Sequence, residues 1–287
     1  MPTSQSTMTL HTQADQIQVR PLTARIGAEI LGVDITQPDL PDDVIAQIQD
    51  ALMTYQVVFF RDQKFDHENH KAFGRRFGKL FIHNGVASIP DHEEIVAIHA
   101  DEDSSYIAGD NWHSDLTMNA EPPMGSILYL HTLPEIGGDT LWASMYAAYD
   151  ALSDAMKAHI ETLTAIHDGE HVYRPLINDP TKTYPSSVHP VVRVHPVTRR
   201  KAIFVNPSYT TRIVELPKPE SDALLNYLYR HCQDPNFQCR FRWQPHSVAF
   251  WDNRCTQHFA VYDYYPQVRS GFRVTIAGDK PIGVKDI

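Results

Sequence analysis

The first third of the chain combines amphipathic helical patterns with one strand pattern. Residues 42–55 carry acidic side chains at the start, which suit a helix amino terminus, and then apolar side chains at helical spacing. The apolar positions are Val44, Ile45, Ile48, Ala51 and Leu52. Residues 56–60, QVVFF, are β-branched and aromatic and predict a buried strand, and 66–78 predict a second helix. The opening of the chain therefore has α/β character.

Short apolar runs separated by proline and glycine dominate the rest of the chain. The predicted strands are 94–99, 125–133, 189–196, 202–206, 247–252 and 272–278. A succession of this kind favours an antiparallel sandwich or barrel. Two helical patterns interrupt it, at 144–160 and 221–232, and these helices are expected to pack on the outside.

Two segments lack apolar periodicity. Residues 1–16 are polar and are expected to form a flexible tail, which leaves 17–287 as a single domain. Residues 168–187 contain proline, aspartate, threonine and serine, and a long loop of this composition is a candidate lid.

Composition narrows the choice of partner. The chain has 25 Lys and Arg against 35 Asp and Glu, a formal net charge of −10, which opposes binding to nucleic acid or an anionic membrane. No apolar run approaches the roughly 20 residues that span a bilayer, and the start of the chain has no signal-peptide pattern. Cys232, Cys239 and Cys255 form no CxxC pair and are expected to be reduced packing thiols. We therefore expect a cytoplasmic protein that acts on a small molecule.

The pattern His-x-Asp, which places two metal ligands on one side of an extended segment, occurs twice. His99 and Asp101 end a predicted strand and open an acidic loop, which favours a solvated strand exit over a metal site. His113 and Asp115 lie in GDNWHSDLTM, beside an aromatic residue and before further extended residues. An imidazole and a carboxylate are expected to converge there.

A redox metal site needs a third ligand from elsewhere in the chain. His258 follows a predicted buried strand and a polar turn in WDNRCTQHFAVYDY. Two histidines and one carboxylate on one face leave three coordination positions open, an arrangement associated with non-haem Fe(II) oxygenases. Each histidine taken singly is better explained as structural, but His113, Asp115 and His258 together predict a metal centre.

Two arginines near the end of the chain require anionic partners. Arg269 and Arg273 are four residues apart on a predicted strand and so point to the same face. A hairpin after His258 would return Arg269 to the metal, and a guanidinium fork suits a carboxylate. Thr140, in the turn-rich GGDTLWASM, has a hydroxyl that can share this anion. Two solvated arginines would be the simpler interpretation in isolation; beside a metal centre they predict an anion pocket.

Together these motifs resemble the taurine/2-oxoglutarate dioxygenase family, which also contains phenoxyalkanoate dioxygenases and alkylsulfatases. The likeness runs from about Val19 to Pro281 and includes VVFFRDQ, NWHSDLT, GGDTLWAS, HPVVRVHPVT, WDNRCTQH and AGDKP. It implies a mainly β fold with flanking helices, a double-stranded β-helix (jelly roll, cupin-like), that uses Fe(II), 2-oxoglutarate and O2. It also implies a homo-oligomer, either a dimer or a tetramer.

The resemblance assigns roles by position to the metal and cosubstrate residues. His113, Asp115 and His258 match the iron ligands of the family. Thr140 and Arg269 match the pair that binds the distal carboxylate of 2-oxoglutarate.

The substrate pocket of the family is matched in part. Arg273 and His83 match residues that bind the sulfonate in the taurine enzyme, and Leu116 matches a position that contacts it through its backbone. Val86 and Gly109 stand where that enzyme has a tyrosine and an asparagine near the amino end of taurine. The resemblance therefore implies an intact anion pocket with a roomier, less polar opposite end.

The activity implied is hydroxylation of a small organic anion, coupled to conversion of 2-oxoglutarate into succinate and CO2. The substrate stays open: a sulfonate such as taurine or a larger one, a phenoxyalkanoate, an alkyl sulfate ester, or a carboxylic acid of specialised metabolism. Hydroxylation beside sulfur or an ether oxygen leads to cleavage of that bond.

Other function classes account for fewer of these residues. A zinc-dependent hydrolase would use the three metal ligands but has no need of Thr140 and Arg269 as an anion clamp. A binding protein without catalysis is expected to have lost part of the triad, and the chain has no GxGxxG or phosphate loop for nucleotides.

Overall fold

The computed structural model describes residues 17–83, 88–104, 107, 109–174 and 181–287, and these form mainly strands with helices on the outside. The strands are β1 (Gln18–Pro21), β2 (Ala28–Leu31), β3 (Val57–Phe60), β4 (Ser88–Ile89), β5 (His92–Ala100), β6 (Gly125–Thr132), β7 (Thr140–Ser144), β8 (Thr164–Asp168), β9 (Ser186–Pro190), β10 (Val192–Val194), β11 (Lys201–Ile203), β12 (Thr210–Ile213), β13 (Gln238–Phe241), β14 (Ser247–Asp252), β15 (Thr256–Ala260), β16 (Arg269–Ile276) and β17 (Ile282–Gly283). The α-helices are α1 (Asp42–Tyr55), α2 (His67–Arg75), α3 (Met145–Asp150), α4 (Asp154–Ile160), α5 (Gly169–Tyr173) and α6 (Lys218–Cys232).

Antiparallel pairing dominates, as the sequence predicts. An eight-stranded sheet has the order β1-β2-β3-β14-β6-β16-β5-β4, and a three-stranded sheet has the order β13-β7-β15. Two smaller sheets have the orders β12-β8-β9 and β11-β10-β17. Strand β2 pairs with β3 in parallel, which agrees with the α/β character of the opening.

Strand β3 explains how the large sheet is covered on both faces. Val58 and Phe60 belong to one apolar cluster with the buried face of α1, whereas Val57 and Phe59 belong to another with Trp142 of β7. Since side chains alternate along a strand, helices α1 and α2 cover one face and the small sheet β13-β7-β15 covers the other. All four residues of β3 are consequently buried.

The predicted helices are present, with different ends. Helix α1 has the predicted bounds, α2 ends before residue 78, and α6 begins earlier than residue 221. The helical stretch predicted around 144–160 is confirmed, and it consists of two helices, α3 and α4. Ser153 separates them because its side chain accepts a hydrogen bond from the backbone N–H of Met156 and so caps a new helix.

The predicted strands are confirmed with changes of extent. The run 189–196 divides into β9 and β10, 202–206 shortens to β11, and 272–278 begins at Arg269. Strands β7 and β15 have no counterpart in the sequence analysis, because their polar residues hid the pattern. The expected tail 1–16 lies outside the described residues, and so do 175–180 of the candidate lid. The described part of that segment contains α5 and the start of β9.

A cavity of about 560 Å³ lies between the large sheet and the small sheet. Strands β5, β6, β14 and β16 contribute one wall, and β7 and β15 contribute the other. The cavity therefore lies inside the sandwich.

Candidate active site

The three predicted metal ligands meet at one end of this cavity. The backbones of His113 and His258 pair across a short bridge, with N–H···O distances of 3.1 and 2.8 Å. Their Nε2 atoms lie 3.7 and 3.9 Å from Oδ1 of Asp115. All three side chains are buried, and their ligand atoms lie within 4.8 Å of one another. Residues far apart in the chain thus present three donors to one point.

The two imidazoles are prepared for metal binding. Nδ1 of His113 lies 2.7 Å from the carbonyl oxygen of Asn111, and donation of its N–H there leaves the Nε2 lone pair free. Burial lowers the pKa of His258 well below its ordinary value, and the neighbouring His113 acts in the same direction. His258 is therefore neutral at pH 7, as a metal ligand must be.

The carboxylate of Asp115 is held from several sides. Asn253 accepts from the Asp115 backbone N–H at 2.6 Å and donates to its carbonyl at 2.9 Å, and Ser126 donates to Oδ2 at 2.9 Å. Burial alone would raise the pKa of Asp115, but the charge of Arg273 outweighs burial and holds the pKa well below its ordinary value. Asp115 is therefore ionised, with Oδ1 directed at the two imidazoles.

This donor set suits a divalent redox metal. Two neutral imidazoles and one carboxylate are the ligands that non-haem Fe(II) oxygenases use, and three ligands leave coordination positions for other molecules. The open positions face a cavity, so that small ligands can reach them.

The same cavity is lined by a buried arginine that has no carboxylate partner among the described residues. Arg269 is 4% exposed and forms no ion pair with any described residue. Its Nε donates to the carbonyl of Gly138 at 3.1 Å and its Nη2 to the Thr140 hydroxyl at 3.3 Å. A side chain on Gly138 (φ 70°) would come within 3.2 Å of Cδ of Arg269, which explains the glycine there. Since a buried charge is costly without a counterion, this pocket is suited to a ligand carboxylate.

The second arginine of β16 has a different environment. Nη1 of Arg273 lies 3.1 Å from Oδ1 of Asp115, and its Nε is buried without a hydrogen-bond partner among the described residues. His83 lies near it, with Nε2 2.9 Å from the hydroxyl of Thr275. Burial, assisted by the charge of Arg273, lowers the pKa of His83 to about 4. His83 is thus a neutral hydrogen-bonding group, and Arg273 supplies the positive charge.

Two backbone positions shape this part of the cavity. Leu116 has φ 50°, an unusual conformation for a residue other than glycine, directly after the ligand Asp115. Gly109 has φ 95°, and a Cβ there would lie 3.1 Å from Cε1 of His113. The small residue therefore leaves space beside the metal ligands. Val86 lies outside the described residues.

Aromatic residues that the sequence analysis did not select line much of the remaining wall. They are Trp142, Trp251, Tyr173 and Tyr209. The tryptophan rings lie against His258, with centroids 6.3 and 4.8 Å from its imidazole. Trp142 and Trp251 occur in the motifs GGDTLWAS and WDNRCTQH, close in sequence to Thr140 and His258, and that closeness could have identified them as cavity residues. Tyr173 and Tyr209 lie in segments that contain no such motif.

The alternative His-x-Asp pair lies apart from this cavity. His99 and Asp101 are partly exposed and bond to each other at 3.0 Å, and no third metal ligand joins them in the described part of the chain. A second buried cluster, His195, Asp252 and Cys255, is occupied by internal bonds: Arg254 and His195 both bind the Asp252 carboxylate. Neither group competes with the cavity site.

Two expectations about the whole chain can be compared with the structure. Cys232, Cys239 and Cys255 are free and buried, as expected. Among the described residues, no helix is both long and apolar enough to cross a membrane.

Known proteins share this sequence and architecture. The family model of the taurine catabolism dioxygenase TauD, TfdA family matches residues 18–275. An alpha-ketoglutarate-dependent sulfonate dioxygenase of Saccharomyces cerevisiae is 35% identical over 93% of this chain and 68% of its own length. An alpha-ketoglutarate-dependent sulfate ester dioxygenase of Pseudomonas putida is 34% identical over 94% of this chain and 92% of its own length. The crystal structure of a taurine dioxygenase from Burkholderia xenovorans superposes with a TM-score of 0.84, at 38% identity over 94% of each chain.

The family match covers most of the chain, and the cavity supplies donors for a metal and for an anionic cosubstrate. The chain belongs to the taurine catabolism dioxygenase TauD, TfdA family and is an Fe(II)- and 2-oxoglutarate-dependent dioxygenase.

Proposed function

We propose that this enzyme hydroxylates an organic sulfonate larger than taurine. The observation that carries the proposal is the pair of arginines on one face of β16, which gives a single cavity two separate sites for anions. One site serves the cosubstrate and the other serves the substrate. The names of the yeast and Pseudomonas relatives support sulfonates and sulfate esters as the substrate class.

In this proposal, His113, Asp115 and His258 hold the iron. Asn111 fixes the tautomer of His113, and Ser126 binds the Asp115 oxygen that faces away from the imidazoles. Such supporting hydrogen bonds orient the ligands before the metal arrives.

Arg269 and Thr140 bind the distal carboxylate of 2-oxoglutarate. The guanidinium is already oriented by Gly138 and by Thr140, and the Trp243 indole N–H donates to the same threonine hydroxyl at 3.0 Å. The carboxylate therefore enters a pocket whose donors need little rearrangement, which reduces the entropic cost of binding.

Arg273 and His83 bind the sulfonate, with the backbone of Leu116 beside them. The apolar body of the substrate lies against Leu116 and Met118, which pack with Phe81 and Val172. Gly109 leaves the far end of the substrate without the asparagine of the taurine enzyme, and by resemblance the sequence has a valine, Val86, where that enzyme has a tyrosine. An ammonium group would lack partners there, whereas an apolar body fits.

Iron with bound 2-oxoglutarate supplies the oxidising chemistry: one atom of O2 enters the substrate C–H bond and the other enters succinate, with release of CO2. The protein's own residues position the carbon and exclude water. Trp142 and Trp251 form an apolar wall beside His258 and so limit the access of solvent to the reacting carbon. Hydroxylation of a carbon attached to sulfur yields an unstable product, and the C–S bond breaks with release of sulfite.

Alkyl sulfate esters are the second candidate, because their head group also carries an anionic sulfur with three terminal oxygens. A phenoxyalkanoate or another carboxylic acid presents a planar head with two oxygens.

The test is a screen for succinate formation with Fe(II), 2-oxoglutarate and ascorbate. Taurine, longer alkylsulfonates, alkyl sulfates and phenoxyalkanoic acids are compared at equal concentration, with oxygen consumption as a second readout. We expect longer sulfonates to stimulate turnover most. A tenfold preference for taurine, about 1.4 kcal/mol in transition-state binding, would contradict the proposal.

The fold type and the domain organisation are also proposed. We infer that the large and small sheets form the double-stranded β-helix of the family, within one domain spanning 17–287. A dimeric or tetrameric state, a cytoplasmic location and a lid within 168–187 stay predictions.

A further inference from the structure

The cavity contains two phenols with incomplete hydrogen bonding. Tyr173 and Tyr209 both line it, and their hydroxyl oxygens lie 3.4 Å apart. That distance is at the long limit of an O–H···O bond. A largely buried hydroxyl whose one hydrogen-bond partner among the described residues is so distant is stabilised when a ligand oxygen comes closer.

The tyrosines are held in place by different parts of the fold. The backbone N–H of Tyr209 donates to Asn206 at 3.0 Å, and the Asn206 amide donates to Thr117 at 3.1 Å. Tyr173 ends α5, and its ring stacks on Tyr184 with centroids 5.3 Å apart. The hydroxyl pair therefore occupies a defined position in the wall.

The phenols lie close enough to Asp115 and Arg273 to be influenced by their charges, and Arg273 is the proposed binding site of the substrate head group. Burial raises the pKa of Tyr173 and raises that of Tyr209 well above its ordinary value, and the charges of Asp115 and Arg273 influence both. Both hydroxyls are therefore protonated at neutral pH. If one donates to the other, the second hydrogen remains available to a ligand, and such a chain strengthens the outer bond.

Arg273 cannot satisfy a three-oxygen head group alone. One of its nitrogens contacts Asp115 at 3.1 Å, and a guanidinium fork serves two oxygens of one anion at most. A carboxylate has two oxygens, whereas a sulfonate or sulfate ester has three terminal ones. The third oxygen needs neutral donors; His83 can supply at most one, because its Nε2 already lies 2.9 Å from the Thr275 hydroxyl, and a sulfonate oxygen can accept more than one hydrogen bond.

We propose that the Tyr173–Tyr209 hydroxyl pair donates to the third oxygen of the substrate head group and so selects sulfonates and sulfate esters over carboxylates. This inference rests on the proposed function, because it assumes that Arg273 binds the head group. It assigns the selectivity to two residues that the sequence analysis did not select.

The experiment uses two anions with the same body, hexane-1-sulfonate and heptanoate. Their affinities are measured by calorimetric titration of the enzyme loaded with Mn(II) and 2-oxoglutarate, for the wild type, Y173F, Y209F and the double variant. The matched control is Y184F, which removes a buried hydroxyl that has no partner among the described residues and does not line the cavity. Thermal unfolding verifies that each variant is folded.

We expect the wild type to prefer the sulfonate. The double variant should bind hexane-1-sulfonate about tenfold more weakly, the usual worth of a hydrogen bond to a charged group, with heptanoate affinity unchanged within about twofold. Y184F should match the wild type with both anions.

Other results decide against the inference in distinguishable ways. An equal loss for both anions means that the phenols only shape the cavity, and unchanged affinities mean that they do not contact the head group; the proposed function survives either result. A wild type that prefers heptanoate, or that binds neither anion, overturns the sulfonate assignment and this inference with it.

Discussion

Arg269 and Arg273 occupy one strand, face one cavity and differ in what surrounds them. Arg269 is bound by neutral groups, a carbonyl and a hydroxyl, and has no carboxylate partner among the described residues. Arg273 lies 3.1 Å from the carboxylate of Asp115, a candidate metal ligand. In the proposed function, the first guanidinium binds an external anion, whereas the second is shared between Asp115 and the substrate.

The difference explains how one cavity can keep two anions apart. Burial of its charge lowers the pKa of Arg269, and Asp139, which forms an ion pair with Arg240, offsets only part of that cost. A carboxylate cosubstrate removes that cost when it binds. Arg273 is already partly neutralised by Asp115, so that its preference for an external anion is weaker and depends on neighbouring donors.

The largest effect is expected from removing the carboxylate that distinguishes the two arginines. Asp115→Ala deletes one of the three proposed metal ligands, and turnover should fall about 10³-fold or more, since the metal contributes several kcal/mol to the reaction. Succinate formation at saturating Fe(II) measures it. Asp101→Ala, in the partly exposed pair, should retain most activity; the opposite pattern would contradict the metal assignment.

Removing the unpaired arginine should affect the cosubstrate alone. Arg269→Ala leaves the 2-oxoglutarate carboxylate without its partner, and the apparent affinity should weaken about 100-fold, as for other buried charge pairs. The dependence of succinate formation on 2-oxoglutarate measures this effect. Arg75→Ala, an exposed arginine on α2, is the matched control. An unchanged requirement would show that another residue binds the carboxylate.

The shared arginine should act on the substrate. Arg273→Gln is expected to weaken sulfonate binding about tenfold or more, because a hydrogen bond to a charged group is lost. The requirement for 2-oxoglutarate should change little, and initial rates at varied sulfonate concentration separate the two effects. If both requirements rise equally, the two anion sites are not independent.

A smaller effect of the opposite sign is expected on the metal. The positive charge of Arg273 beside Oδ1 of Asp115 opposes an incoming cation, so Arg273→Gln should tighten Mn(II) binding about threefold. Calorimetry with Mn(II) and no substrate measures it. Arg269→Ala, farther from the carboxylate, should leave Mn(II) affinity unchanged, and weaker binding to Arg273→Gln would mean that this arginine mainly orients Asp115.

The smallest effect concerns pH. A protonated His83 would add positive charge and tighten sulfonate binding, but its pKa of about 4 keeps it neutral at higher pH. Sulfonate affinity should therefore vary less than about twofold between pH 8 and 6 and rise only as the pH approaches 4. Titrations across this range check it; a rise centred near pH 6.5 would show that bound sulfonate restores the ordinary pKa.

The sequence could predict elements whose residues repeat a clear pattern. Helix α1 has five apolar residues on one face, and the sequence predicted both of its ends correctly. Strand β14 was predicted from its continuous apolar run. The break between α3 and α4 depends on one helix cap at Ser153. The helical spacing of apolar residues is assessed over many positions and does not reveal a change at a single residue. Strands β7 and β15 contain Thr140 and His258, whose polar side chains face the cavity. Polar side chains that line a cavity interrupt the alternation of apolar and polar residues by which a strand is predicted.

The sequence by itself determined which chemistry was available: two histidines, a carboxylate and two arginines in motifs spread between residues 113 and 273. Only the tertiary structure decided their relations. It brought His113 against His258 by backbone pairing and placed Asp115 beside Arg273, while Arg269 forms no ion pair in the part of the chain that the structure describes. The pairing of groups distant in sequence depends on strand order and register, and small shifts of register change which charge meets which. The identity of a residue determines which groups its side chain can bind. The fold determines which of those groups are already present in the protein and which must come from a ligand.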